Sequence, residues 1–129
     1  KLEGAERCLV EDLISSMDKP SAIITDVAVG ARFLGISAQD GPKVRTGLAS
    51  TLGFSPTEGE HQRVRAMVGQ PLGRAAELLH EDSGFSICLG TAALNAGIDP
   101  PENQPDIQAS IIMAEKTAGG EAVLVGEFR

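Results

Sequence analysis

The stretch SGFSICLGTAALNAG, residues 83–97, most constrains what this chain can fold into. Ser83 is a good helix N-cap, and Gly97 is placed to end a helix in the left-handed conformation. Between them every residue except Asn95 is small or apolar, so a helix here has no face for water and must be surrounded. Gly90 costs about 1 kcal/mol of helix propensity relative to Ala, which indicates close packing. A membrane span needs about 20 apolar residues, and this run is shorter and closely flanked by charged residues. We therefore predict a buried central helix.

Three segments upstream have the composition of β-strands, at residues 22–29, 32–38 and 43–52. Turn-forming residues separate them, Gly30-Ala31 first and then Gln39-Asp40-Gly41-Pro42. We predict a three-stranded antiparallel meander. Gly47, inside the third strand, indicates either a bulge or a close approach of other backbone.

Helical periodicity predicts three further helices, at residues 3–17, 70–81 and 106–117. The polar segment 53–70 is interpreted as a long connection and a candidate functional loop. The fold class is therefore α+β, a three-stranded antiparallel meander packed against a helical bundle. The short apolar run Ala122–Val125 has no sheet of its own, so we expect it to pair with another chain or to fray.

The charge of the chain limits its partners. The formal net charge is −7, and residues 66–129 carry most of it, with three Lys or Arg against nine Asp or Glu. An acidic chain disfavours nucleic acid and anionic membranes as partners. The acidity is compatible with a cation or a neutral small molecule, but solubility is the favoured interpretation of it. Cys8 and Cys88 lie in apolar helical patterns, which predicts two buried thiols in a reducing cytoplasm.

Four polar residues are candidates for ligand binding. Asn95 is the one amide on the central helix, and it either orients a ligand or bonds to nearby backbone. Arg45, Thr46 and Thr51 lie on or beside the third strand. They either line a ligand groove next to segment 53–70 or are polar residues of a solvated edge strand.

Glu77, His80 and Glu81 are candidates for metal binding, because their i, i+3 and i+4 spacing places all three on one face of a helix. Glu77 and His80 supply the carboxylate and imidazole that bind divalent metals. The alternative is a solvated face whose histidine suits the C-terminal end of the helix dipole. No Ser-His-Asp or Cys-His arrangement is recognisable, so no catalytic residue is assigned.

Several short motifs in order resemble one known family: Asp-Val-x-Val-Gly at Asp26–Gly30, Gly-Leu-Ala-x-Thr at Gly47–Thr51, Gly-x-x-Leu at Gly69–Leu72, Leu-Gly-x-Ala-Ala-Leu-Asn-Ala at Leu89–Ala96, and Val-x-Val-Gly-x-Phe at Val123–Phe128. The chain resembles the bacterial and archaeal "putative heavy-metal chelation" domain proteins, whose function is unassigned. The resemblance implies an enolase N-terminal-like domain at residues 1–118. It also implies a linker and the first strand of a truncated Rossmann-like domain at 119–129, with a ligand between the two domains.

The resemblance and the composition together predict a binding module for a small molecule or a metal-related ligand, acting with a C-terminal Rossmann-like domain. The ligand is a divalent metal or a metal-chelating small molecule. One alternative is a capping domain that confers specificity on an enzyme whose catalytic groups lie mainly in the missing domain. Another is a homodimerisation domain that uses its apolar helices.

Overall fold

A computed structural model describes residues 4–100, and all of these except Pro100 belong to a compact unit that ends at Asp99. The elements, in chain order, are α1 (Gly4–Ser15), β1 (Ile23–Val29), β2 (Phe33–Asp40), β3 (Lys43–Ser50), α2 (Glu58–Met67), α3 (Leu72–Ala76), a 3-10 helix (Glu77–His80) and α4 (Gly84–Gly97). The α+β class is confirmed. The predicted helix 106–117, the predicted strand Ala122–Val125 and the domain boundary at residue 118 lie outside the described residues.

The sheet has the order β1-β2-β3, and both neighbouring pairs are antiparallel, which confirms the meander. Alternate residues of β2, Leu34, Ile36 and Ala38, are buried on the face that packs against the helices. This alternation follows from the two-residue period of a strand. One face of the sheet therefore belongs to the core, while Phe33, Val44 and Leu48 are exposed on the other face, named the outer sheet face below.

Gly47 is the point where the sheet meets the central helix. A Cβ atom at this position would collide with backbone atoms of Ala92 and Ala96 in α4. The close approach predicted at Gly47 is therefore confirmed. The alternative of a bulge at Gly47 is wrong, because β3 pairs with β2 without a register shift, and the irregularity lies in β1 between Ile24 and Asp26.

Helix α4 lies at the centre of the unit, as predicted. Ten of its fourteen residues are buried, and it packs against β2, β3, α3 and the 3-10 helix. The Oγ atom of Ser83 accepts from the amide of Ser86 at 3.5 Å and caps the helix. The predicted left-handed end at Gly97 is wrong, because this glycine is still helical. Its missing side chain instead leaves room for Met17, since a Cβ at Gly97 would collide with the Met17 side chain.

Segment 53–70 is not the predicted open connection, because it contains helix α2. Thr57 and Glu60 form a capping box: Thr57 Oγ1 accepts from the Glu60 amide at 3.3 Å, and Glu60 Oε2 accepts from the Thr57 amide at 2.9 Å. The apolar periodicity did not predict this helix, because its composition is polar and Val64 is its one buried residue. Gly53 and Gly69, with φ angles of 81° and 87°, allow the sharp turns on either side of it.

The first helix also differs from the prediction. α1 is shorter than residues 3–17, and none of its residues is buried. Cys8 is exposed, so the prediction of a buried thiol is wrong at this position, although Cys88 is buried as expected. Burial raises the pKa of the Cys88 thiol, which disfavours the reactive thiolate. None of the helices in the described part of the chain has the length and apolar character that a membrane crossing requires.

Candidate functional site

A surface cavity of about 350 Å³ lies between α1 and the 3-10 helix. It is lined by Arg7, Glu11, Ile14 and Ser15 from α1, and by Glu77 and His80 from the 3-10 helix. The four α1 residues follow i, i+4, i+7 and i+8 spacing, which places them on one helical face. Two of the three metal candidates from the sequence, Glu77 and His80, therefore line the same cavity, which we name the α1 cavity.

The local backbone brings Glu77 and His80 together. The predicted helix 70–81 divides into α3 and a tighter 3-10 helix, in which residues three apart lie directly above one another. His80 Nε2 lies 3.4 Å from Glu77 Oε2. The side chains keep 27% and 61% of their surface exposed, so a ligand in the cavity has access to both.

Glu81 does not join this pair, although the sequence grouped it with Glu77 and His80. The backbone is extended at Glu81, which turns its side chain toward α2. Arg63 donates to both carboxylate oxygens of Glu81, at 2.6 and 2.9 Å. These hydrogen bonds lower the pKa of the Glu81 carboxyl, because they stabilise its charged form. The Arg63 guanidinium is therefore paired with a carboxylate of the protein itself.

The separation of Glu77 Oε2 and His80 Nε2 is that of an ion pair, and it is also close to the donor–donor distance around a four-coordinate metal ion. Donors about 2.0–2.1 Å from a tetrahedral ion lie about 3.4 Å from each other. The distance between Glu77 Oε2 and His80 Nε2 equals that edge. Residues 4–100 contain no group of three or more His, Cys, Asp or Glu residues placed to hold a metal. The cavity therefore brings Glu77 and His80 into contact without a third such residue placed to complete a metal site among residues 4–100.

The opposite wall of the cavity carries charge of both signs. Arg7 Nε donates to Glu11 Oε1 at 3.2 Å, and both side chains are more than half exposed. Sequence reasoning missed Arg7, Glu11 and Ser15 as cavity residues. Their spacing indicates a shared polar face of α1, but no pattern in the sequence indicates that this face meets the 3-10 helix.

Two of the four predicted ligand residues, Arg45 and Asn95, join β3 to the last turn of α4. Arg45 Nε donates to Ala96 O at 2.8 Å, and its side chain is only 10% exposed. Its guanidinium also forms ion pairs with Asp99 at 2.5 Å and with Asp40 at 3.7 Å. Asn95 Nδ2 donates to Leu48 O at 2.8 Å, the backbone role that the sequence left open.

The two threonines lie elsewhere. Thr51 is fully buried, and its Oγ1 donates to Ala31 O at 2.9 Å. Thr46 is exposed, with its Oγ1 3.4 Å from Ser37 Oγ. The structure therefore brings Arg45 and Asn95 together but places neither threonine beside them, and none of the four lines the α1 cavity.

Comparisons with known proteins agree with this α+β unit. A family model described as "Putative heavy-metal chelation", DUF4213, matches residues 10–98. The chain therefore belongs to this family. No curated protein matches the chain.

One solved structure with a similar fold is a protein of unknown function from the DUF364 family of Desulfitobacterium hafniense. It is 17% identical, with a TM-score of 0.59, and the match covers 71% of this chain and 34% of that one. This likeness supports the fold alone. The chain spans about a third of the length of that solved protein.

Proposed function

We propose that this unit is a binding module for a divalent metal ion, with Glu77 Oε2 and His80 Nε2 as its donors in the α1 cavity. The observation that carries the proposal is their 3.4 Å separation in the wall of a cavity large enough for a ligand. The family description, heavy-metal chelation, supports the same class of ligand.

The donor types favour particular ions. A neutral imidazole with a carboxylate suits Zn²⁺, Ni²⁺ and Cu²⁺ better than Ca²⁺ or Mg²⁺, which prefer all-oxygen sites. Binding by two donors is weak, because most of the coordination sphere remains water. Affinity should also fall in acid, because both donors must be deprotonated to bind a metal.

The module would act within a larger protein. The solved protein of the DUF364 family extends well beyond this fold, since the match covers 34% of its chain. The resemblance of Val123–Phe128 to the opening strand of a Rossmann-like domain supports a partner domain of that kind, with the boundary near residue 118. In this proposal the module supplies metal donors and the partner domain supplies the rest of the binding site or a catalytic site.

Isothermal titration of the 129-residue chain with ZnCl₂ and NiCl₂ tests the metal site. We expect weak binding of one ion per chain, reduced at least about tenfold by His80→Ala, because one of two donors is lost. His61→Ala is the matched control, since His61 lies on α2 and does not line the cavity. Equal loss in both variants, or binding unaffected by His80→Ala, would contradict the proposal.

A second candidate function, self-association, is favoured by the outer sheet face. The sequence predicted a dimer interface on the apolar helices, but ten of the fourteen residues of α4 are buried within its own unit, so little of this helix is available for such an interface. Phe33, Val44 and Leu48 are instead exposed on a flat strand surface. Sedimentation at increasing concentration tests this candidate, and Leu48→Lys should abolish any dimer that uses this face.

A further inference from the structure

We propose that the outer edge of β3, together with the exposed side of α4 beside it, binds an extended peptide segment of a partner protein as a fourth strand of the sheet. In the part of the chain that the structure describes, β2 is the one strand that pairs with β3. The surface, named the β3–α4 groove, is formed by Val44, Thr46 and Leu48 of β3 and by Ile87, Thr91 and Asn95 of α4. It is separate from the α1 cavity.

The backbone of β3 directs alternate hydrogen-bonding groups away from β2. The Thr51 amide donates to Arg32 O at 2.8 Å, in register with the β2–β3 ladder. Because hydrogen-bonded and non-hydrogen-bonded pairs alternate in an antiparallel ladder, Thr46 and Leu48 present their N–H and C=O groups outward. The Leu48 carbonyl agrees with this, since its donor is Asn95 Nδ2 of α4. Both β3 residues are exposed, so this edge is an accessible template for another strand.

Helix α4 runs antiparallel to β3 along this edge. Its C-terminal end lies at the start of the strand, where Arg45 Nε donates to Ala96 O at 2.8 Å. Its N-terminal end lies beyond the end of the strand, where Gly84 packs against the ring of Phe54. The edge and the helix therefore form the two sides of one groove, as in proteins that bind a peptide by strand addition.

A fourth strand would cover apolar side chains that this region leaves exposed. Asn95 reaches the edge of β3, and Thr91 and Ile87 precede it by one and two turns on the same side of α4. Ile87 is 40% exposed, although most of this helix is buried. Side chains of the added strand that point inward would pack on Ile87. Those that point outward would lie beside Val44 and Leu48, which are also exposed.

A second copy of the chain does not fit this edge through its own β3. Gly47 allows the backbone of α4 to lie directly beneath β3, where a Cβ would collide with Ala92 and Ala96. Paired strands lie about 4.8 Å apart, so two edge-paired copies would place their α4 helices only about 5 Å apart. Packed helices require about 8–10 Å. The occupant is therefore a strand with no helix beneath it, which an extended peptide segment provides.

The charges at the two ends of the groove favour one direction of the peptide. Lys43 is exposed at the start of β3. The other end is acidic, because Ser83 follows Asp82 and its hydroxyl donates to Glu60 Oε1 at 2.9 Å. Antiparallel pairing, the slightly more stable arrangement, places the C-terminal end of the peptide at Lys43. The partner segment therefore has alternating apolar residues, a basic residue at its N-terminal end and an acidic residue at its C-terminal end.

A fluorescently labelled synthetic peptide, Lys-Val-Thr-Val-Thr-Val-Glu, is the probe. Fluorescence anisotropy with the 129-residue chain measures its Kd, which we expect to be on the order of 100 µM. The control Glu-Val-Thr-Val-Thr-Val-Lys has the same composition and should bind at least about fivefold more weakly, because its charges are reversed. Lys-Val-Thr-Pro-Thr-Val-Glu should not bind, because proline removes the central N–H donor. Equal binding of the three peptides, or no binding of the first at about 1 mM, would overturn the proposal.

Variants of the chain test each side of the groove. Thr46→Pro removes an outward N–H and leaves the hydrogen bonds between β3 and β2 in place, so it should weaken binding about fivefold. Thr46→Val keeps that N–H and should bind as the wild type does. Ile87→Ser should also weaken binding, whereas Leu9→Ser, at an exposed position of α1, should not. Binding unchanged by both Thr46→Pro and Ile87→Ser would contradict the assignment.

Sedimentation separates a partner peptide from a second copy of the chain. We expect one peptide per chain and no change in the oligomeric state when the peptide binds. A dimer that dissociates as the peptide is added would assign the edge to a second copy and overturn the proposal. Circular dichroism of each variant establishes that the unit is folded, and Ile87→Ser keeps the test decisive if Thr46→Pro does not fold.

Discussion

The β3–α4 junction and the α1 cavity both contain polar residues that the sequence marked as candidates, but the structure uses them differently. At the junction, Arg45 and Asn95 are committed to backbone oxygens of Ala96 and Leu48. In the cavity, Glu77 and His80 contact each other and remain accessible. A polar side chain that uses its hydrogen-bonding atoms within the fold stabilises the fold. A polar side chain that keeps such atoms accessible at a cavity can bind a ligand there. Substitutions in the two regions should therefore have opposite effects on stability and on binding.

The largest loss of stability is expected from Gly47→Ala. The added Cβ would meet backbone atoms of Ala92 and Ala96, and backbone cannot move aside as a side chain can. We expect a loss of more than about 3 kcal/mol of unfolding free energy, or failure to fold, measured by urea denaturation. Gly59→Ala is the control, because its Cβ meets only Thr57 Oγ1 at an ordinary 3.9 Å. Equal stability of the two variants would contradict the close approach.

Arg45→Met should cost about 2 kcal/mol of unfolding free energy, because it leaves the Ala96 carbonyl and Asp99 without their charged partner. Because methionine keeps most of the apolar stem of the arginine side chain, the loss of unfolding free energy measures the lost hydrogen bonds and ion pairs of Arg45. Metal affinity should stay unchanged in the same variant. A ligand-binding role for Arg45 would be supported instead if stability held while binding of Zn²⁺ fell.

Acid should weaken the ion pair between Arg63 and Glu81. The sequence had grouped Glu81 with the metal candidates Glu77 and His80. The folded-state pKa of Glu81 is lowered, so its contribution to stability is present above the ordinary carboxyl pKa. That contribution is lost as pH falls through the lower folded-state value. Because the carboxylate is 36% exposed, we expect less than about 1 kcal/mol, measured as the difference between wild type and Glu81→Gln from neutral pH to pH 3. A difference that grows toward acid pH would contradict the assignment.

The smallest effect on stability is expected in the cavity itself. Glu77→Gln and His80→Ala should change the unfolding free energy by less than about 0.5 kcal/mol, because both side chains are partly exposed and their partner is each other. The same variants should lose metal affinity. Thermal denaturation in the presence of EDTA measures the stability of each variant without bound metal. If Glu77→Gln or His80→Ala lost as much unfolding free energy as Arg45→Met, the distinction between the two regions would be wrong.

The sequence predicted the sheet and the central helix well, because both depend on local patterns. Alternating apolar residues and turn-forming residues predicted β2 and its neighbours, and the uninterrupted apolar run predicted α4. It missed α2, whose signal is the capping box at Thr57 and Glu60 rather than an apolar stripe. It also misplaced Cys8, since an amphipathic pattern on α1 does not reveal how much of its face another element covers.

The site was predicted only in part. The i, i+3 spacing of Glu77 and His80 indicated a pair, and their place in a 3-10 helix brings the two side chains within contact distance. Glu81, one residue further on, leaves the helix and binds Arg63, eighteen residues earlier in the chain. The position of Arg7 and Glu11 across the cavity from that pair depends on how α1 packs, which local spacing does not specify.

The sequence by itself determined that residues 83–97 form a buried helix and that Gly47 marks either a bulge or a close approach of other backbone. Both follow from steric and solvation rules that act on a residue and its immediate neighbours. Only the tertiary structure decided which element approaches Gly47, that Asn95 and Arg45 stabilise the fold at that contact, and that Glu77 and His80 face a cavity. The reason is that these hydrogen bonds join residues that are distant in the chain. Their partners are determined only when the helices and the sheet pack together.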